Sequence, residues 1–170
     1  MTRPSLLAAG LLLGAALPAA AQDTAPLGAG LIDRDGAEIG TVSFRDAGDG
    51  VLIELEANGL PASQPLAFHI HEGGACDTAG GFESAGGHFA PRSMMHGYLA
   101  EGGPHAGDMP NQFTDAEGSV KAEIFNPAVT VGEGEASVAG RTVVIHAGAD
   151  DYMSQPSGDA GERLACGVIE

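Results

Sequence analysis

The stretch Phe68-His69-Ile70-His71 decides how the chain is read. Side chains two apart along a strand leave the same face, so Phe68 and Ile70 go one way while His69 and His71 go the other. The apolar pair takes the core. Two imidazoles are then left together on the opposite wall, where burial alone offers a bare histidine nothing. The segment from His69 to Asp108 also carries His88, His96 and His105, which makes five of the chain's six histidines, and the sixth, His146, comes much later. Histidine used nowhere else and gathered in this way predicts a metal site held by a β scaffold.

Working outward, Thr142-Val143-Val144-Ile145-His146 repeats the pattern. With Val143 and Ile145 inward, His146 faces out beside Val144, and an outward Val144 requires a cover. The same period of two runs through Val42 and Phe44, through Val51, Ile53, Leu55 and Ala57 with Glu54 and Glu56 opposed, and through Val120, Ala122 and Ile124. Asp33-Arg34-Asp35-Gly36, Asp46-Ala47-Gly48-Asp49-Gly50 and Asp115-Ala116-Glu117-Gly118 separate these runs with turn-forming residues. An all-β fold follows. Two segments break the strand rhythm, Gly73 to Pro110 and Ala147 to Glu162, both rich in Gly, Pro and polar residues. Loops of that length in a small domain are commonly functional, and these two are expected to fold over the metals and cover Val144.

The 170 residues suit a single domain, and 27 glycines with 5% aromatic residues favour a loop-rich β fold over a helical bundle. Residues 1–21 read as a secretory leader: Arg3 is followed by an apolar run from Leu6 to Leu17 and by small residues at Ala19-Ala20-Ala21. The run is shorter than the roughly 20 residues that a membrane span needs. The mature domain is expected at 22–170, with Gln22 to Ala25 mobile and the protein in the periplasm. Loss of Arg3 leaves six basic side chains against 23 acidic ones, a formal charge of −17. That balance argues against nucleic acid as a partner, and no later segment could cross a bilayer. Export into an oxidising compartment also predicts that Cys76 and Cys166 are bridged.

Imidazole donors without thiolate suit Cu(II), Zn, Ni or Fe, whereas magnesium and calcium prefer oxygen. His96, His105 and Asp108, joined by His88, would give a closed set of three nitrogens and one oxygen, which fits zinc. His69, His71 and His146 remain on rigid strands; with a fourth nitrogen they would make the tetragonal site that Cu(II) favours.

At this point the chain resembles the copper/zinc superoxide dismutases, in particular the secreted bacterial kind. The matching stretches are His69-Ile70-His71-Glu72, Gly86-Gly87-His88-Phe89, Met95-His96-Gly97, Gly103-Pro104-His105-Ala106-Gly107-Asp108, Val144-Ile145-His146-Ala147-Gly148-Ala149-Asp150-Asp151 and Gly158-Asp159-Ala160-Gly161-Glu162-Arg163-Leu164-Ala165-Cys166-Gly167-Val168-Ile169. The resemblance implies an eight-stranded Greek-key β-barrel or sandwich, an architecture for which this family is itself a standard example. It implies copper on His69, His71, His88 and His146, and zinc on His88, His96, His105 and Asp108, with His88 shared. It implies that Asp150 ties a copper ligand to a zinc ligand, that Arg163 lines the entrance and attracts the anion, and that Cys76 and Cys166 form the intrasubunit disulfide. The activity implied is dismutation of superoxide to dioxygen and hydrogen peroxide by a redox-cycling copper, with His88 also carrying a proton. Monomer and homodimer are equally compatible with the sequence.

Two features depart from the family pattern. Ala90 stands where an Asn is usual, and the loop between Asp151 and Ser157 is short and lacks the acidic cluster of the eukaryotic enzymes, so local packing and substrate steering are open at those places. Two other function classes compete with the redox enzyme. A metal-binding protein of the same fold without turnover would be signalled by a missing copper ligand, and all four are present. A zinc hydrolase is disfavoured by the closed zinc set and by the lack of a His-Glu-X-X-His helix.

Overall fold

The computed structural model describes residues 26–170; the expected leader and the stretch Gln22 to Ala25 lie outside the described residues. The described chain is all-β, relieved only by a 3-10 turn at Glu83–Ala85. Its strands are β1 (Leu27–Asp33), β2 (Glu38–Asp46), β3 (Val51–Ala57), β4 (Pro65–Leu66), β5 (Phe68–His71), β6 (Gln112–Phe113), β7 (Val120–Asn126), β8 (Thr142–His146) and β9 (Arg163–Val168). Seven of them form one antiparallel sheet in the order β5-β8-β9-β1-β2-β3-β7, and β4 pairs with β6 in a short ribbon. No helix among the described residues is long and apolar enough to cross a membrane.

The expected eight strands appear as nine because β4 and β5 are one run of chain that changes partner at Ala67. Before it, Leu66 pairs with Gln112; after it, Phe68 pairs with Ile145. Ala67 itself donates to the carbonyl of Gly148 and accepts from the N–H of His146, at 2.8 and 2.9 Å. The backbone groups at the corner are thus satisfied while the strand bends from one sheet to the other.

Strand alternation builds the core as the sequence predicts. Val42, Phe44, Val51, Ile53, Leu55, Ala57, Val120 and Ile124 are buried in one cluster, and Ala122 packs against it partly buried. Phe68, Ile70, Val143 and Ile145 join that cluster from the far end of the sheet. Burying each such large side chain contributes about 1.5–3 kcal/mol. Asp33 and Asp46 turn the β1-β2 and β2-β3 hairpins, and Asp115 turns the chain from β6 in one sheet to β7 in the other, each by accepting a backbone N–H bond two residues on, from Asp35, Gly48 and Glu117.

Val144 does receive its cover. It lies fully buried in a second, smaller cluster with Phe82, Ala85 and Cys166, against which Ile32 and Cys76 pack. The disulfide Cys76–Cys166, with Cα atoms 5.7 Å apart, fastens this covering loop to β9 across 90 residues of chain. A Cys76→Ser, Cys166→Ser double variant should lose about 4–5 kcal/mol of unfolding free energy, the amount expected for closing so long a loop. Denaturant titration under oxidising conditions reads that loss directly.

Candidate metal centre

The long loop after β5 returns to lie beside the strand it left. Phe89 donates to the carbonyl of Ile70 at 2.8 Å, Ile70 to that of Gly107 at 2.9 Å, and Gly107 to that of Phe89 at 2.9 Å. This backbone junction sets His88 opposite His71, and Asp108 opposite His69. Ligand residues 17 to 39 positions apart in sequence are thereby put in register by main-chain bonds alone. Only glycine fits at 107, since a Cβ there would stand 2.2 Å from the Ile70 carbonyl oxygen. Arg141 closes the outside of the junction, its guanidinium 4.7 Å from the Phe89 ring centroid and bonded to the Glu72 carbonyl at 2.7 Å.

Two donor sets result. His69, His71, His88 and His146 form one and His88, His96, His105 and Asp108 the other, each with its donor atoms within 4.8 Å of one another. All of these residues are buried except His105, which is partly exposed. Within the first set, each ring but that of His88 is turned by a hydrogen bond at its outer nitrogen. His69 Nε2 meets Asp150 Oδ2 at 2.9 Å, His71 Nδ1 meets the Gly86 carbonyl at 3.0 Å, and His146 Nδ1 reaches the Gly161 carbonyl at 3.5 Å. With the outer nitrogen donating, the inner one keeps its lone pair. Nε2 of His71 and Nε2 of His146 then face each other at 3.3 Å, and His69 Nδ1 and His88 Nε2 are buried with no hydrogen-bond partner. Unpaired buried nitrogens converging on one point fit a cation.

In the second set a single carboxylate oxygen is the focus. Nδ1 of His88, His96 and His105 stand 2.8, 3.1 and 3.3 Å from Asp108 Oδ1. Asp108 Oδ2 is meanwhile held by the backbone N–H groups of Gly97 and His105, both at 2.9 Å. The donor chemistry, three nitrogens and one oxygen, is that of a closed zinc site.

Electrostatics agree with ligation. Burial holds the His71 imidazole well below its ordinary value. Burial likewise lowers His88 to about 4 and His146 to about 3, so all three are neutral near pH 7 and able to donate lone pairs. Burial pushes Asp108 the other way, but hydrogen bonds from His105, His88 and His96 outweigh it and keep the carboxyl ionised, far below its usual range. His96 is raised, because its bonds to Asp108 and Asp150 exceed the effect of burial.

Asp150 joins the two donor sets, with Oδ1 2.9 Å from His96 Nε2 and Oδ2 2.9 Å from His69 Nε2. Its carboxyl is lowered to about 2 against burial by those two rings and the Tyr152 N–H. Arg163 is pinned by two carbonyls of the covering loop, Phe82 at 2.5 Å and Gly86 at 2.7 Å. The Gly86 oxygen also receives His71, so the guanidinium stands next to the first donor set. The seven donor residues, Asp150 and Arg163 are thus brought together in one place. Several residues that support this assembly were not singled out from the sequence. Asn111 clamps the backbone of Asp150 through both ends of its amide, at 2.8 and 2.9 Å. The Tyr98 hydroxyl donates to the Asp108 carbonyl at 2.7 Å. Gly158 leaves room that a Cβ would take from Asp150 Oδ1, at 1.9 Å. Asn111 and Tyr98 gave no signal, being polar loop residues whose partners lie 10 or more positions away.

An antiparallel β scaffold that presents two histidine-rich donor sets sharing one imidazole defines a binuclear metalloprotein. The family model for copper/zinc superoxide dismutase matches residues 38–169. A superoxide dismutase (Cu-Zn) of Aquifex aeolicus is 50% identical over 143 residues, covering 82% of this chain and 83% of its own. Among solved structures, a superoxide dismutase-like protein from Bacillus subtilis superposes with a TM-score of 0.80 at 34% identity, covering 84% of this chain and 97% of that one. The Cu/Zn superoxide dismutase from Brucella abortus gives 0.70 at 30% identity, covering 86% and 100%. The chain belongs to the copper/zinc superoxide dismutase family, and its donor sets suit those two metals.

A Gly107→Ala substitution should open the junction between Ile70, Phe89 and Gly107. The expected result is a loss of about 1–3 kcal/mol from overpacking, accompanied by reduced content of both metals per chain, read by thermal melting and elemental analysis.

Proposed function

We propose that this chain dismutes superoxide to dioxygen and hydrogen peroxide, with copper held by His69, His71, His88 and His146 and zinc by His88, His96, His105 and Asp108. The observation that carries the assignment is His88, whose Nδ1 faces Asp108 in one set while its Nε2 lies unpaired in the other. Copper bound there supplies a centre that accepts and returns one electron, and zinc supplies a fixed positive charge. His69, His71 and His146 hold fixed ring orientations through the bonds at their outer nitrogens. His88 Nε2 is the atom that can hold and release a proton on the copper side, since its Nδ1 is committed to the Asp108 side. Burial of the rings keeps water from most of the two sets, His105 being the partly exposed member.

Arg163 binds and orients the incoming anion. Two carbonyl anchors fix its guanidinium, which stays charged even though burial lowers its pKa. The formal charge of −17 left after loss of the leader, six basic side chains against 23 acidic ones, repels superoxide from the surface as a whole, so a local positive entrance decides the encounter, a form of steering for which superoxide dismutase is a standard example. Export through the leader at 1–21, with cleavage after Ala21, is part of the same reading; the protein then works in the periplasm as a single domain from Gln22, without nucleic acid or membrane partners. The bridge Cys76–Cys166 supports that location, because such bonds persist in oxidising compartments.

Elemental analysis should find one copper and one zinc per chain, and superoxide decay should accelerate only with the copper-loaded protein. Metal uptake without any acceleration would favour a binding protein of the same fold. Arg163→Glu should retain both metals and slow turnover by roughly tenfold or more at low salt, with the gap narrowing as ionic strength rises; equal rates at low salt would remove Arg163 from this role.

A further inference from the structure

The short loop between Asp151 and Ser157 folds into a turn of its own. Asp151 Oδ1 accepts the N–H groups of Met153 and Ser154 at 2.9 and 2.8 Å, and the Ser154 hydroxyl donates to Asp151 Oδ2 at 2.5 Å. Gly158 N–H closes back on the Ser154 carbonyl at 2.7 Å, and Asp151 N–H on the Gly158 carbonyl at 3.0 Å. This turn delivers one side chain to the other long loop. Gln155 Oε1 accepts the backbone N–H of His96 at 2.9 Å, and Gln155 Nε2 donates to the His96 carbonyl at 2.9 Å and to the Met153 carbonyl at 2.9 Å.

His96 is a residue in need of that contact. It is fully buried and lies outside any strand, and among the described residues its backbone N–H and carbonyl have no hydrogen-bond partner in the protein other than Gln155. Its ring is gripped at Nδ1 by Asp108 and at Nε2 by Asp150, but neither bond fixes the main chain that carries the ring. A carboxamide that pairs both polar groups of one residue does what a neighbouring strand does for His69 and His71. We propose that Gln155 is a positioning residue for zinc, latching the loop 147–162 onto the backbone of His96 and slowing the opening through which the ion leaves. The proposal rests on the reading of His88, His96, His105 and Asp108 as the zinc set.

The test is the rate at which zinc passes from the fully loaded protein to an excess of chromogenic chelator. Gln155→Ala removes both bonds and should speed release roughly tenfold, in line with two lost hydrogen bonds partly replaced by water, while the melting temperature of the metal-free protein changes little. Gln155→Glu keeps an acceptor for the His96 N–H but sets an oxygen against the His96 carbonyl, and should fall between the two. Release from Gln155→Ala at the wild-type rate would overturn the latch and leave the zinc assignment standing. A fall in the melting temperature of the metal-free protein with no change in release would overturn it as well, since that marks a purely structural residue. A wild-type chain that takes up no zinc would overturn latch and assignment together.

Discussion

The structure depends on three backbone hydrogen bonds that tie Ile70, Phe89 and Gly107 together. Without them the loop after β5 would be an excursion of chain carrying histidines at no fixed distance from one another. With them, one ligand from each of two distant segments is laid alongside a ligand on β5; β8 adds His146, and the loop itself adds His96 and His105. Main-chain bonds suit this task because they carry no rotamer freedom, so the only variable left at each ligand is its ring orientation. Those orientations are then set by Asp150, Gly86 and Gly161.

The wall formed by β5 and β8 is asymmetric in energy as well as in chemistry. On the face with Phe68, Ile70, Val143 and Ile145, burial stabilises the fold by itself. On the other face, imidazoles and two carboxylates are taken from water, and unpaired nitrogens at His69 and His88 make that side unfavourable until they ligate. Metal binding therefore contributes folding free energy on that face, and the protein is expected to be far more stable with metals than without. The disulfide and the small cluster around Val144 hold the covering loop in place independently of the ions.

Much of this was legible in the sequence because period-two patterning needs only local information. Alternation in Phe68-His69-Ile70-His71 and in Val143-Val144-Ile145-His146 assigned both faces correctly, and the unsupported Val144 announced a cover that Phe82 and Ala85 provide. The three Asp-led turns were equally local. The change of partner at Ala67 was not visible, since alanine carries no mark of a bend and the cause lies in Gly148 and His146. The holds on Asp150 and on His96 were also hidden. Asn111 and Gln155 act across 39 and 59 positions, and an amide on a polar loop looks the same whether it faces solvent or a buried backbone.

The sheet order has a bearing on when the ligands can meet. β9 is the last strand in chain order, yet it sits between β8 and β1 and so joins the pair β5-β8 to the meander β1-β2-β3-β7. During synthesis, which proceeds from the N-terminus, the meander and the histidine strands emerge before the piece that unites them. Copper and zinc thus meet a half-built cradle until residues 163–168 arrive, which also bring Arg163 and the thiol of Cys166. All seven candidate ligands, from His69 to His146, precede residues 163–168, so the donor side chains are synthesised before the strand that joins their wall to the rest of the sheet.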